Sequence, residues 1–117
     1  MPDAKSYTGK EKRRFPRIPL VSEVEFKVHV DKKQYKGVIS NISAGGVAII
    51  TDSKIDPLSM LRMSFGLPNG SEFKELKGLV VRHEPWDHSL LLGIRFVDLP
   101  DKLRAEIAKW VIATHGP

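Results

Sequence analysis

The chain has 117 residues, 41% hydrophobic and 28% charged, with no cysteine and a formal net charge of +5. That length suits one domain with one core, and the missing thiols exclude disulfides, a cysteine nucleophile and thiolate metal sites. No apolar run approaches the ~20 residues a membrane helix needs, and the opening MPDAKSYTGKEKRR lacks the apolar stretch of a secretory leader. A cytoplasmic protein without membrane insertion is therefore expected.

Residues 1–10 are small and polar without periodicity and read as a flexible tail. Lys10, Lys12, Arg13, Arg14 and Arg17 then crowd into eight residues, while the remainder of the chain is nearly balanced. A partner of opposite charge is expected to meet this segment. Pro16 and Pro19 forbid helix and hold the backbone extended, so residues 11–19 are read as a basic arm.

From Ser22 the pattern alternates, with Val24, Phe26, Val28 and Val30 on one face and Glu23, Glu25, Lys27 and His29 on the other, as a half-buried strand requires. Asp31 to Lys33 turn into a second strand, 34–42, and Ser43–Gly46 interrupts before a third, 47–51. Leu61, Met63, Phe65 and Leu67 alternate again; Pro68, Asn69 and Gly70 supply a turn, and Phe73 to Arg82 returns as the partner strand. Glu84 to Ser89 reads as a loop before a sixth strand, 90–97, whose Leu90, Leu91 and Leu92 suggest burial on both faces.

Only the end is helical in pattern. Pro100 suits a first turn, and Leu103, Ile107, Trp110 and Val111 form one apolar stripe. Six short strands and one helix point to an all-β fold: a small antiparallel barrel over residues 20–98, with a helix at 100–113 packed over one end. Residues 11–114 thus form a single domain.

Two segments carry chemistry. Arg13, Arg14 and Arg17 offer planar, permanently charged forks that bind phosphate bidentately and stack on aromatic rings; the alternative is a solvated basic tail. In Asn41-Ile42-Ser43-Ala44-Gly45-Gly46, short polar side chains can point outward from a turn, and the glycines allow close backbone approach. The alternative here is an Asx-turn in which Ser43 bonds its own loop.

Arg13 and Arg17 match RxxxR, and Asn41, Ser43 and Gly46 match [D/N]xSxxG, in the order and separation of the PilZ family, which the chain resembles over about 12–112. The resemblance extends to the two-glycine turn into Val47 and to Leu92-Gly93-Ile94-Arg95-Phe96 before the helix. It implies a six-stranded barrel that binds the second messenger cyclic di-GMP and is not an enzyme. Arg13 and Arg17 would bind phosphate and the guanine O6/N7 edge, Asn41 and Ser43 would read a guanine edge, and Gly46 would leave room for the ligand. Arg14, between the motif arginines, would add a third contact; the alternative is that it points to solvent. Asn41 stands where Asp is commoner, so its hold on guanine N1 and N2 hydrogens lacks a charge. Lys12, before the first motif arginine, leaves open one ligand or a stacked pair.

His83, Glu84, Asp87 and His88 surround Trp86 without any justified metal spacing and read as a solvated stretch, with Trp86 a candidate partner contact. No cofactor and no catalytic constellation is found. The expected output is binding in trans to an unidentified effector protein. The competing readings are a small basic barrel for single-stranded nucleic acid, against which the scarcity of exposed aromatics argues, and a ligand-independent adaptor.

Overall fold

The computed structural model describes residues 17–31 and 33–115. Lys12, Arg13, Arg14 and the tail expected over 1–10 lie outside the described residues. Six strands, β1 (Ile18–Val28), β2 (Gln34–Ser43), β3 (Gly46–Thr51), β4 (Met60–Gly66), β5 (Glu72–Trp86) and β6 (Ser89–Phe96), precede one helix, α1 (Asp101–His115). All pairings are antiparallel, and the order β1-β2-β3-β6-β5-β4 closes through β4 and β1. Closure leaves no open sheet edge for a neighbouring chain to extend, and gives the antiparallel barrel with a terminal helix that the alternation predicts.

The interior is filled by every second residue. Val24, Phe26 and Val28 from β1, Val47 and Ile49 from β3, Leu61, Met63 and Phe65 from β4, and Leu92, Ile94 and Phe96 from β6 are all buried. Each such side chain contributes about 1.5–3 kcal/mol when fully withdrawn from water. Where β1 begins and β2 ends, α1 lays Ile107 and Val111 on this core, with Leu103 and Trp110 beside them. Arg104 Nη1 donates to the Ala44 carbonyl at 2.8 Å, tying the helix to the β2–β3 turn. Ile55, from the β3–β4 connection, also joins the core.

Two expectations are corrected. Val30, expected on the inward face of the first strand, is 86% exposed because β1 ends at Val28. The chain turns there around Asp31, whose carboxylate accepts the Lys33 N–H at 2.8 Å and Tyr35 Oη at 2.7 Å. Nor is Glu84–Ser89 a loop. β5 and β6 stay paired out to Trp86 opposite Ser89, so only Asp87 and His88 turn the chain, and Asp87 takes the left-handed conformation (φ 56°) that Asp tolerates better than most residues. The polarity that suggests a loop belongs to the outward face of a two-stranded ribbon. No described helix is long and apolar enough to cross a membrane.

Candidate functional site

Two β-bulges decide which polar side chains reach the outer wall. On β2, Ile39 pairs with Ile49 and Asn41 with Ala48, so Ser40 is an extra residue. Strict alternation would put Asn41 inward beside the buried Ile39; the bulge turns it out and returns Ile42 to the core. On β5, Val80 pairs with Ile94 and Arg82 with Gly93, so Val81 is the extra residue and Arg82 faces out. Glu84 and Trp86 follow on the same face at the two-residue strand period.

The residues so exposed line up. Pro19 of β1, Asn41 of β2, Ala48 of β3, Gly93 of β6 and Arg82 of β5 are directly opposed, strand after strand. The middle of that row carries a methyl group and a hydrogen, flanked by the polar side chains of Asn41 and Arg82. A cleft of about 620 Å³ results, floored by Ala48 and Gly93, with Arg17 and Asn41 along one side and Arg82 and Trp86 along the other. Ile50 and Leu91 make its apolar end.

Arg17, just before β1, donates through Nη1 to Asn41 Oδ1 at 2.9 Å. Across the cleft, Arg82 gives Nε–H and Nη2–H to the two Glu84 oxygens, each at 3.0 Å. Its side chain lies over Gly93, where an added Cβ would stand 2.7 Å from Arg82 Cβ. Trp86 leaves half of its surface exposed. A concavity of about 580 Å³ over β1–β3 is lined by Glu23, Glu25 and Asp52 with Lys36, a lining that suits an anion poorly.

Of the residues singled out from the sequence, Arg17 and Asn41 meet in the cleft. Ser43 is buried; its Oγ accepts the Gly45 N–H at 3.1 Å and lies 3.5 Å from the Gly46 carbonyl. Gly46 permits β3 and β6 to approach, since a Cβ there would stand 2.0 Å from the Ile94 carbonyl oxygen. Neither lines the cleft; both hold the turn that follows Asn41. Arg13 and Arg14 fall outside the described residues. Sequence reasoning did not single out Arg82, and it put Trp86 in a loop as a candidate partner contact. Their signal was the pair Val80-Val81 breaking the alternation, followed by Arg82, Glu84 and Trp86 at period two.

Among the described residues no group of His, Asp and Glu is arranged to hold a metal. What the cleft presents is a guanidinium and an amide facing an ion pair and an indole, over an apolar floor. Those groups recognise flat, hydrogen-bonding, anionic molecules. Fold and cleft together define a binding module: a closed barrel packed solid inside, with its polar site on the outer wall. The chain belongs to the PilZ domain family, whose model matches residues 11–113, a family of generally non-catalytic cyclic di-GMP (c-di-GMP) binders.

Solved structures agree in fold. The inhibitor of motility from Bacillus subtilis superposes with a TM-score of 0.75 at 18% identity, over 89% of this chain and 51% of that one. YcgR from Escherichia coli in complex with c-di-GMP gives 0.77 at 12% identity, over 89% and 46%. The PilZ domain of that protein, also with c-di-GMP, gives 0.64 at 11%, over 89% and 92%. The chain therefore spans about half the length of the first two and nearly all of the isolated domain. No curated protein matches at the sequence level.

Proposed function

We propose that the chain is a non-catalytic receptor for cyclic di-GMP, which it holds in the outer cleft between Arg17–Asn41 and Arg82–Trp86. The observation that carries this reading is the placement of Arg17 against Asn41 at 2.9 Å, because it joins one member of each sequence motif at the rim of a single cleft. A cyclic dinucleotide offers two phosphates for the arginine forks, two guanine edges for hydrogen bonds and flat purine faces for the indole. Arg13 and Arg14 would close over the ligand from the arm that leads into Arg17. Ser43 and Gly46 would serve by shaping the turn after Asn41.

Solved PilZ-fold neighbours in complex with c-di-GMP support the choice of ligand. Output would follow from ordering of the arm over the bound ligand, which changes the surface offered to an effector protein in trans. The test is calorimetric titration with cyclic di-GMP, GTP and a single-stranded oligonucleotide. Cyclic di-GMP should bind far more tightly than the other two, and Arg17→Ala should weaken it about 10- to 150-fold, the equivalent of about 1.5–3 kcal/mol for a charge-assisted contact. Preference for the oligonucleotide would overturn the assignment in favour of nucleic-acid binding; no binding of any of the three would favour a ligand-independent adaptor.

A further inference from the structure

The two sides of the cleft hold their arginines differently. Arg17 follows a strongly basic segment of the sequence and donates to the Asn41 amide oxygen. Arg82 is held by a carboxylate in a two-point ion pair on its own strand, with both contacts at 3.0 Å. We infer that Arg82 and Glu84 form a charge-neutral guanine-reading pair, making the β5 side of the cleft a base subsite and leaving the phosphates to Arg17 and the arm. The inference rests on the cyclic di-GMP reading above and assigns a specificity role within it.

Three features support the division. The first is donor geometry. A guanidinium has five N–H donors in a planar fork, and Glu84 engages it from the side, through Nε and one hydrogen of Nη2. The end of the fork, shared by Nη1 and Nη2, still presents two parallel donors, the arrangement that pairs with guanine O6 and N7. Adenine places an amino donor where guanine has O6, so the same fork rejects it.

The second feature is charge. A phosphate brought to Arg82 would lie beside the Glu84 carboxylate and gain little, whereas a neutral base edge meets no such opposition. Glu84 also fixes the plane and direction of a side chain that is otherwise 59% exposed, so little rotamer freedom is lost when the base arrives. The third feature is support for a ring. Arg82 lies over Gly93, and Trp86 extends from the same face of β5 toward the cleft, giving a base an edge partner and an aromatic face together.

The experiment compares cyclic di-GMP with cyclic di-AMP at low and high salt, for wild type, Arg82→Ala, Arg82→Lys and Glu84→Gln. Arg82 is exposed and Glu84 half-buried, and melting curves confirm that each variant is folded before titration. A base contact predicts that Arg82→Ala lowers cyclic di-GMP affinity about 10- to 100-fold and leaves cyclic di-AMP within about twofold, so that preference collapses while salt dependence stays as in wild type. Arg82→Lys keeps the charge but loses the fork, and should behave like Arg82→Ala. Glu84→Gln bares the Arg82 charge, and should make binding steeper in salt and narrow the preference for guanine.

Equal losses for both dinucleotides with a shallower salt dependence in Arg82→Ala would make Arg82 a phosphate contact and overturn the inference. So would unchanged affinity in Arg82→Ala, or full preference retained in Arg82→Lys. Wild-type protein that binds neither dinucleotide would overturn the receptor reading itself, which the wild-type titration distinguishes from a misassigned Arg82.

Discussion

Gly46 and Gly93 lie on neighbouring strands and are glycines for different reasons. At Gly46 the obstacle to a side chain is main chain, the Ile94 carbonyl oxygen at 2.0 Å, and main chain in a closed barrel cannot step aside without parting β3 from β6. At Gly93 the nearest atom is Arg82 Cβ, at 2.7 Å, a less severe overlap that a small shift of β5 can relieve, since the atoms beyond it belong to a flexible side chain. Gly46→Ala should therefore act on stability, by about 1–3 kcal/mol or more, read as a fall in melting temperature of about 4–8 °C for each kcal/mol in a small domain. Gly93→Ala should act on the cleft, lifting Arg82 off the floor and weakening cyclic di-GMP binding about 10-fold, the result of misplacing one bidentate contact, with the smaller thermal shift of the two. Melting curves and titrations on the same samples check both. The reverse ranking, with Gly93→Ala the more destabilising, would mean that the floor of the cleft is part of the core.

Among the elements, the β1–β2 hairpin shows what alternation conveys and where it stops. Val24, Phe26 and Val28 are inward as their spacing requires, but the same period carried one step further puts Val30 in the core, where the structure has a turn. Spacing records which residues share a face and is silent on where a strand ends. Bulges are hidden for a related reason. Ile39 and Ile42 are three apart and both buried, a pattern that does not distinguish an extra residue from a break in the strand, so the turning outward of Asn41 and Arg82 is visible only in the register. Arg17 and Asn41 were singled out because two short motifs occur together in the order and separation of the PilZ family; Arg82 was not, because a lone arginine in a polar stretch reads as an ordinary solvated side chain.

The end of that hairpin also titrates. Tyr35 Oη donates to Asp31 while its ring stacks on Phe26, with centroids 5.6 Å apart. The bond from Tyr35, then the Lys33 N–H, holds the Asp31 carboxyl below the usual carboxylate range, and the same bond pushes the Tyr35 phenol above its usual value. A depressed carboxyl adds stability that is present above its unfolded pKa, near 3.9, and is lost as pH falls through the lower folded value. A raised phenol adds stability that is complete below about 10 and is lost as pH rises through the higher folded value. Tyr35→Phe keeps the ring and removes the bond. Denaturant melts should place wild type above the variant by a constant margin between about pH 5 and pH 9, with the margin closing at both extremes. A margin of the same size at pH 2 would show that the hydroxyl acts through packing, without the carboxylate.

On the scale of the whole molecule, charge is concentrated at one place. The first 17 residues hold six Lys and Arg against two Asp and Glu, and the remaining hundred hold 13 against 12. The cations therefore enter the barrel at Arg17, beside the cleft, and the barrel that receives them is nearly neutral. Like charges packed into eight residues repel one another, and a dianionic ligand at the cleft cancels that repulsion just where the segment joins β1. Cyclic di-GMP should consequently change the molecule unevenly. Amide hydrogen exchange, compared with and without ligand, should gain most protection over residues 10–18, with a smaller gain along Asn41, Ala48, Gly93 and Arg82. Residues 24–27 should change little, because they are already paired on both sides, to β2 and to β4. Raising the salt should shrink the gain over 10–18 first, since that part depends on exposed charges that ions screen within a Debye length of about 8–10 Å. Protection confined to the cleft row, with none over 10–18, would mean that the ligand is held by the barrel wall alone, and the arm could not be the element that signals its presence.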